Sequence, residues 1–537
     1  MPGICRAGWR ATRSPPGSRS STRSPAPPPA RPTCARSVTI SNPVAETLVE
    51  LLEGLRDRGD HTLLVCDDER LTYADAEHRS ARLADALIAL GAGKGTHVGV
   101  LYPNGADFVV AMLAVARVGA VVVPFSTFLT EAELRVQLLD SDVSIMLSAR
   151  SFRSHDYVGQ ISRVRADAPC LRHVVFEIPA AGDPERRAGL EADVEGSDVL
   201  AIIYTSGSTG APKGVVHTHS SLLAHQRDLN VLRGLTADDK LFCNSPFFWV
   251  GGLAFALLAS MIAGATLVCS NSTDAGATFD LLEAEKPTIT NGFVAGIAHL
   301  TRHPSFPHRN LSSIRRGNLY PLMAPDVRPA DPDLRHNMLG STESGSVVLL
   351  DPDDTDQPEH RRGSFGRPAP GFETKVLDSG ELCIRGPYLM QGYYGRSREE
   401  CFDTDGWFHT GDLVRVDDDG YFYFLGRAGA MIKTAGANVT PDEVQKALQH
   451  VLEGRDMRDV TVQVVGLPDQ ERGQLVAAVV ATADPAAFDE AAVRAALRAQ
   501  LSSYKVPRRF AVIHSDELPV KSSGKIDVAA LRELFDD

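Results

Sequence analysis

The residues from Thr205 to Lys213 are the ones most suited to chemistry. Thr205, Ser206, Ser208 and Thr209 carry hydroxyls, Gly207 and Gly210 stand between them, and Pro212 and Lys213 follow. Glycines tolerate positive φ, so such a loop can turn its backbone N–H groups inward as an anion nest. The hydroxyls add donors, and Lys213 supplies a point charge suited to polyphosphate. The G-x-x-x-x-G-K-[ST] spacing of a Walker loop is absent. The short apolar and β-branched run Val199–Ile203 just before it predicts a buried strand that presents the loop. The expected chemistry is therefore binding of a polyphosphate.

The surrounding chain has to position that loop. Its 537 residues exceed one ordinary core, so at least two domains are expected. Asp and Glu outnumber Lys and Arg, 68 to 55, which argues against a nucleic-acid or anionic-membrane partner. Eight cysteines without a C-x-x-C pair indicate neither a zinc site nor a disulfide framework, and a reduced cytoplasmic setting is expected. Two apolar runs, 108–125 and 253–269, are broken by Arg117 with Gly119 and by Gly264. They read as helix, turn and strand rather than membrane spans.

Residues 1–40 are rich in Arg, Ser and Pro, with no acidic residue. They read as disordered, or as a mis-assigned extension ahead of a natural start near Val38. From residue 42 onward helix and strand patterns alternate. A helix is predicted over 44–55, another over 71–90, a strand over 97–102, a helix to Val118 and a strand over 120–124. That alternation predicts an α/β fold with mainly parallel sheets. Residues 363–394 read as short strands with turns at Pro370-Gly371 and Ser379-Gly380, a small β subdomain. Strands over 460–467 and 510–513 and a helix over 490–501 predict a small α+β C-terminal domain.

Several segments together resemble the adenylate-forming superfamily of acyl-CoA ligases, peptide-synthetase adenylation domains and luciferases. These are the Thr205–Lys213 loop, Asn244-Ser-Pro-Phe-Phe-Trp-Val-Gly-Gly252, Leu339-Gly-Ser-Thr-Glu343, Trp407-Phe-His-Thr-Gly-Asp412, Gly420–Arg427 and the terminal Leu518–Lys525. The resemblance implies a large AMP-binding domain over 41–426, a hinge over 427–430 and a mobile small domain over 431–537. It implies ATP with Mg²⁺ as cofactors and CoA as co-substrate. Glu343 would hold the metal, Thr342 would donate to the α-phosphate, and Lys525 would be the catalytic lysine. Asp412 and Arg427 would hold ribose, Leu339 and Gly340 would lie at the adenine, and Lys433 with Gly436 would line the thiol's path.

Departures from the family pattern bear on the substrate. Trp249 stands where relatives commonly have His. Asn318 and Leu319 replace two glycines of a Gly-Gly-Ala-Pro-Leu segment, and Tyr320 replaces its alanine. Because Leu339 replaces the adenine-stacking tyrosine, Tyr320 is expected to supply that surface instead. Gly429 takes a hinge position usually held by Asp or Lys. Bulk at Trp249, Asn318 and Leu319 predicts a short or planar acid. The implied reaction is ATP-dependent adenylation of a small or aromatic carboxylic acid followed by transfer to CoA. The alternatives are activation of nitrite for attack by an aromatic amine, and delivery of the adenylate to a carrier-protein thiol or an amine.

Overall fold

The computed structural model describes residues 44–177, 182–206, 212–427, 431–455, 457, 460–519 and 526–536. The residues before Val44, the hinge positions 428–430 and Lys525 lie outside this set, as do Gly207, Ser208, Thr209 and Gly210 of the loop.

Two sheets organise residues 62–393. One runs, in spatial order, through strands Arg316–Gly317, Ile289–Asn291, Lys240–Cys243, Thr266–Cys269, Thr62–Cys66 and Glu69–Thr72, parallel except at its last strand. The other places Val199–Ser206 beside Val121–Pro124, then His97–Leu101, Ile145–Ser148 and His173–Val175, all parallel. Pro212–Thr218 and Gly392–Tyr393 extend it in antiparallel fashion. The parallel strands are almost wholly buried, so their sequences are continuous apolar runs such as Val121-Val-Val-Pro124. The helix Ala106–Arg117 lies in the same core and is buried at every position but Asp107, which accounts for its all-round hydrophobicity. Arg117 is tolerated there because Glu77 and Glu191 pair with it.

Helix starts follow local capping chemistry. Thr47 and Thr72 form capping boxes with Glu50 and Asp75, so the helices are Leu48–Gly54 and Tyr73–Ala89, each beginning later than apolar periodicity suggests. Leu71 and Thr72 end a strand instead. Residues 339–427 form two smaller antiparallel sheets. From Ile432 a five-stranded sheet carries the helices Pro441–Glu453 and Glu490–Arg498. Its apolar clusters contain only residues beyond 431, and those of the larger part only residues before 428. The packing therefore divides across 428–430. No helix among the described residues is long and apolar enough to cross a membrane.

Candidate active site

A cavity of about 1340 Å³ opens between these two packed bodies. On one wall the strand Val199–Ser206 turns back through the loop into Pro212–Thr218, with Thr205 opposite Lys213 in register. Thr205 and Lys213 both line the cavity. Lys213 is a strand residue, and its ammonium lies over the Tyr393 ring at 5.0 Å. The Tyr393 hydroxyl donates to Glu343 Oε1 at 2.8 Å. Tyr393 thus joins the lysine to the carboxylate. Nothing in the sequence pattern singled it out, because its role depends on the pairing of Gly392–Tyr393 with Val215 and Val216.

Glu343 and Thr342 follow the strand Leu339–Ser341, and Leu339, Gly340, Thr342 and Glu343 all face the cavity. A Cβ on Gly340 would stand 2.1 Å from the Ser346 carbonyl oxygen, so only glycine fits the close pairing there. His217 fixes the turn: its Nε2–H donates to the Thr342 carbonyl at 2.7 Å. Burial pushes the His217 imidazole down to about 4, although the bond to Thr342 opposes the shift. The ring is neutral, and Nδ1 is buried with no partner among the described residues. His225 repeats the arrangement, donating from Nε2 to the Val347 carbonyl at 2.9 Å with its imidazole pushed down by burial to about 3.

Asp412 is buried at the cavity wall, paired in register with Arg427 of the neighbouring strand. The Thr410 hydroxyl accepts from the Asp412 N–H at 3.0 Å and donates to the Leu382 carbonyl at 2.7 Å. Gly411 between them has φ 72°, the left-handed region in which glycine is unstrained. The expected tight turn is instead an irregularity within the strand Phe408–Val416, where the register against Glu381–Arg385 shifts and Gly411 takes up the extra backbone. Glu343, a buried carboxylate on the cavity wall beside Tyr393, fits a role in holding Mg²⁺, an ion bound by one or two carboxylates plus phosphate oxygens. Among the described residues there is no group of three or more ligating side chains that would form a protein-only metal cage.

The departures divide. Trp249 lines the cavity and meets Phe128, Phe248 and Phe293 edge-on at 6.2, 5.5 and 6.2 Å. Gly252 behind it has no room for a side chain, since a Cβ would stand 2.1 Å from the Pro246 carbonyl oxygen. Asn318 also lines the cavity, and it clasps Gly292 with two bonds: the Gly292 N–H donates to Oδ1 at 3.0 Å, and Nδ2 donates to the Gly292 carbonyl at 2.8 Å. Leu319 and Tyr320 do not reach the cavity. Leu319 is fully buried in the cluster of Ile314, Leu322 and Met323, and Tyr320 packs against the same cluster. Tyr320 therefore does not provide an adenine-stacking surface in this arrangement, and Leu319 is core rather than pocket. The reason is the turn at Tyr320–Leu322, which follows a Gly317 held against Thr290 and swings both side chains inward.

The opposite wall comes from residues after 431. Lys433, Gly436, Lys446, Arg472 and Lys505 line it. Gly436, at φ 85°, lies so close to Phe293 that a Cβ would stand 2.6 Å from the ring. The described residues flanking Lys525, Pro519 and Ile526, do not line the cavity.

The family model described as AMP-binding enzyme matches residues 52–394, and that for the AMP-binding enzyme C-terminal domain matches residues 460–525. The chain is 32% identical to 3-[(3aS,4S,7aS)-7a-methyl-1,5-dioxo-octahydro-1H-inden-4-yl]propanoyl:CoA ligase of Mycobacterium tuberculosis, over 89% of this chain and 97% of that protein. It is 32% identical to a feruloyl-CoA synthase of an Amycolatopsis species, over 87% and 94%. Among solved structures, o-succinylbenzoate CoA synthetase of Bacillus subtilis, bound to a product analogue, superposes with a TM-score of 0.70 at 24% identity, covering 90% of this chain and 98% of that one. The amide bond synthetase of Marinactinospora thermotolerans gives 0.74 at 24% identity, covering 90% and 99%.

Proposed function

The chain belongs to the AMP-binding enzyme family, and from that premise we propose that it joins a small or aromatic carboxylic acid to CoA, converting ATP to AMP and pyrophosphate. The observation that carries this reading is a single cavity lined by Thr205 with Lys213, by Leu339 to Glu343, by Asp412, and across from them by Lys433 and Gly436.

In the first step a carboxylate oxygen attacks the α-phosphorus of ATP, the bond from that phosphorus to the bridging oxygen breaks, and pyrophosphate leaves. Thr205 and Lys213 hold the departing phosphates. Thr342 donates to the α-phosphate, whose oxygens gain charge in the transition state, so fixed donors count most there. His217 keeps the Thr342–Glu343 turn in place. Asp412 accepts from the ribose hydroxyls, with Arg427 beside it in the sheet. Mg²⁺ held at Glu343 would neutralise phosphate charge. Lys525 bridges the carboxylate and the α-phosphate when the small domain presents it. In the second step the CoA thiolate attacks the acyl carbon and AMP leaves.

For the acid, Trp249 and Phe293 offer an apolar aromatic wall, and Asn318 closes the end of the strand Ile289–Asn291. This supports a short or planar acid. Feruloyl-CoA synthase and an indoleacetate–CoA ligase of Aromatoleum aromaticum, 31% identical, are named for aromatic acids. The readings with nitrite and an aryl amine, or with a carrier protein, find no support among these relatives. ATP–pyrophosphate exchange across a panel of acids tests the reading. Exchange that depends on an aromatic or short acid is expected, and exchange with none of them would refute it.

A further inference from the structure

Three charged side chains that the proposed chemistry does not use meet where the two packed bodies touch. Lys505 Nζ lies 2.7 Å from Glu133 Oε1 and 2.7 Å from Glu443 Oε1. Glu133 stands in the first turn of the helix Glu131–Asp140, before the 428–430 division, while Lys505 and Glu443 come after it. Lys505 is 7% exposed. The Ser502 hydroxyl donates to Glu133 Oε2 at 2.5 Å, and the Thr130 hydroxyl, which caps the helix, donates to the Gln500 carbonyl at 3.1 Å. Burial pushes the Glu133 carboxyl up, but Lys505, Ser502 and Thr130 outweigh it and hold the group below its ordinary value.

The cluster bridges the two bodies at one end of a single helix. At the helix's other end Asp140 accepts from the Tyr204 hydroxyl at 2.6 Å, immediately before Thr205. With the cluster closed, Lys433 and Gly436 face the cavity, and Ile526 packs instead beside Val465, Leu467 and Leu531. In the two-step reading the small domain turns between the half-reactions, and Lys505 and Glu443 then part from Glu133. Parting exposes all three groups to water, so no charge is left buried and unpaired. The second oxygen of Glu443 is buried with no partner among the described residues, so this clasp is incompletely satisfied even when closed.

We infer that Glu133, Lys505 and Glu443 form a releasable clasp that holds the small domain in the orientation used for transfer to CoA. They are positioning residues for the second half-reaction. The inference rests on the two-step reading above. Glu133→Gln keeps the size of the side chain and its capping geometry, and Lys505→Met keeps the apolar stem. In each variant, single-turnover transfer from preformed acyl-adenylate to CoA should slow roughly 10–100-fold, the scale of losing a contact present in one of two states. ATP–pyrophosphate exchange should fall far less than transfer in each variant, and the double variant should be no slower than the worse single one, because the two remove one interaction. Equal losses in both half-reactions, or unchanged transfer, would overturn the clasp. If Lys505→Met does not fold, Glu133→Gln decides alone. A complete lack of exchange in the unaltered protein would remove the two-step reading and the clasp with it. Normal exchange and transfer there, with parallel losses in the variants, would remove the clasp only.

Discussion

The two walls of the cavity are built in different ways. The wall bearing Thr205, Lys213, Glu343 and Asp412 is set by strand register and by bonds within one body, with His217 bracing Thr342 and Tyr393 joining Lys213 to Glu343. The wall bearing Lys433, Gly436 and Arg472 meets the first across the division, through contacts that include the Glu133–Lys505 clasp, Phe128 against Tyr504 at 6.3 Å and an exposed Arg302–Glu471 pair. An exposed pair of that kind contributes little. One wall is thus built within a single body, and in the proposed reaction it would hold the nucleotide while the other wall turns. A reaction with two successive attacks on one bound acyl group needs that division.

The largest effect should come from removing the cation that one orientation of the turning wall would deliver. Lys525→Ala should slow adenylate formation on the order of 10²–10³-fold while a preformed adenylate still reacts with CoA. Equal collapse of both steps would mean that the walls do not exchange roles. On the fixed wall, Asp412→Ala should raise the KM for ATP about 10–100-fold, the value of a charge-assisted hydrogen bond or two, with a smaller change in kcat. An unchanged KM would place the ribose elsewhere.

How much of this was legible in the sequence follows the same division. That Thr205, Lys213, Thr342-Glu343 and Asp412 would share one cavity was legible, because their residue types and order along the chain mark them out locally. The mainly parallel sheets were readable from continuous apolar runs such as Val121-Val-Val-Pro124. Tyr393, His217 and Glu133 could not be found, since each acts through a partner far along the chain: Glu343, Thr342 and Lys505. Leu319 and Tyr320 were misread because a motif position says which residue is unusual, not which way it faces. The turn at Tyr320–Leu322 leaves Leu319 in the core and Tyr320 half-buried against it.

The braced wall also makes a prediction for acid stability. Burial pushes His217 and His219 down to about 4 and His225 to about 3, from 6.5. Below pH 6.5 the unfolded chain takes up protons that the folded chain refuses, so stability falls as pH drops toward 4, by about 1.4 kcal/mol per pH unit for each histidine. The melting temperature should decline between pH 6.5 and 4.5, and His225→Gln should flatten the decline. A Tm independent of pH across that window would contradict the neutral, buried assignment.

A smaller effect is expected at the acid pocket. Trp249→Ala should improve kcat/KM for a bulkier acid relative to a small one by roughly tenfold, the scale on which apolar pockets discriminate. A variant that loses activity toward all acids alike would make Trp249 a support for Phe248 and Phe293 rather than a pocket wall.

The account stands most directly on product formation. Incubating the protein with ATP, Mg²⁺, CoA and a graded series of acids, from short and aromatic to long-chain, and identifying thioesters by mass spectrometry against AMP released, tests both steps at once. One thioester per AMP is expected, with the highest kcat/KM for short or aromatic acids. A maximum at acyl chains of about twelve carbons or more would contradict the pocket, and AMP release without any thioester would contradict the ligase.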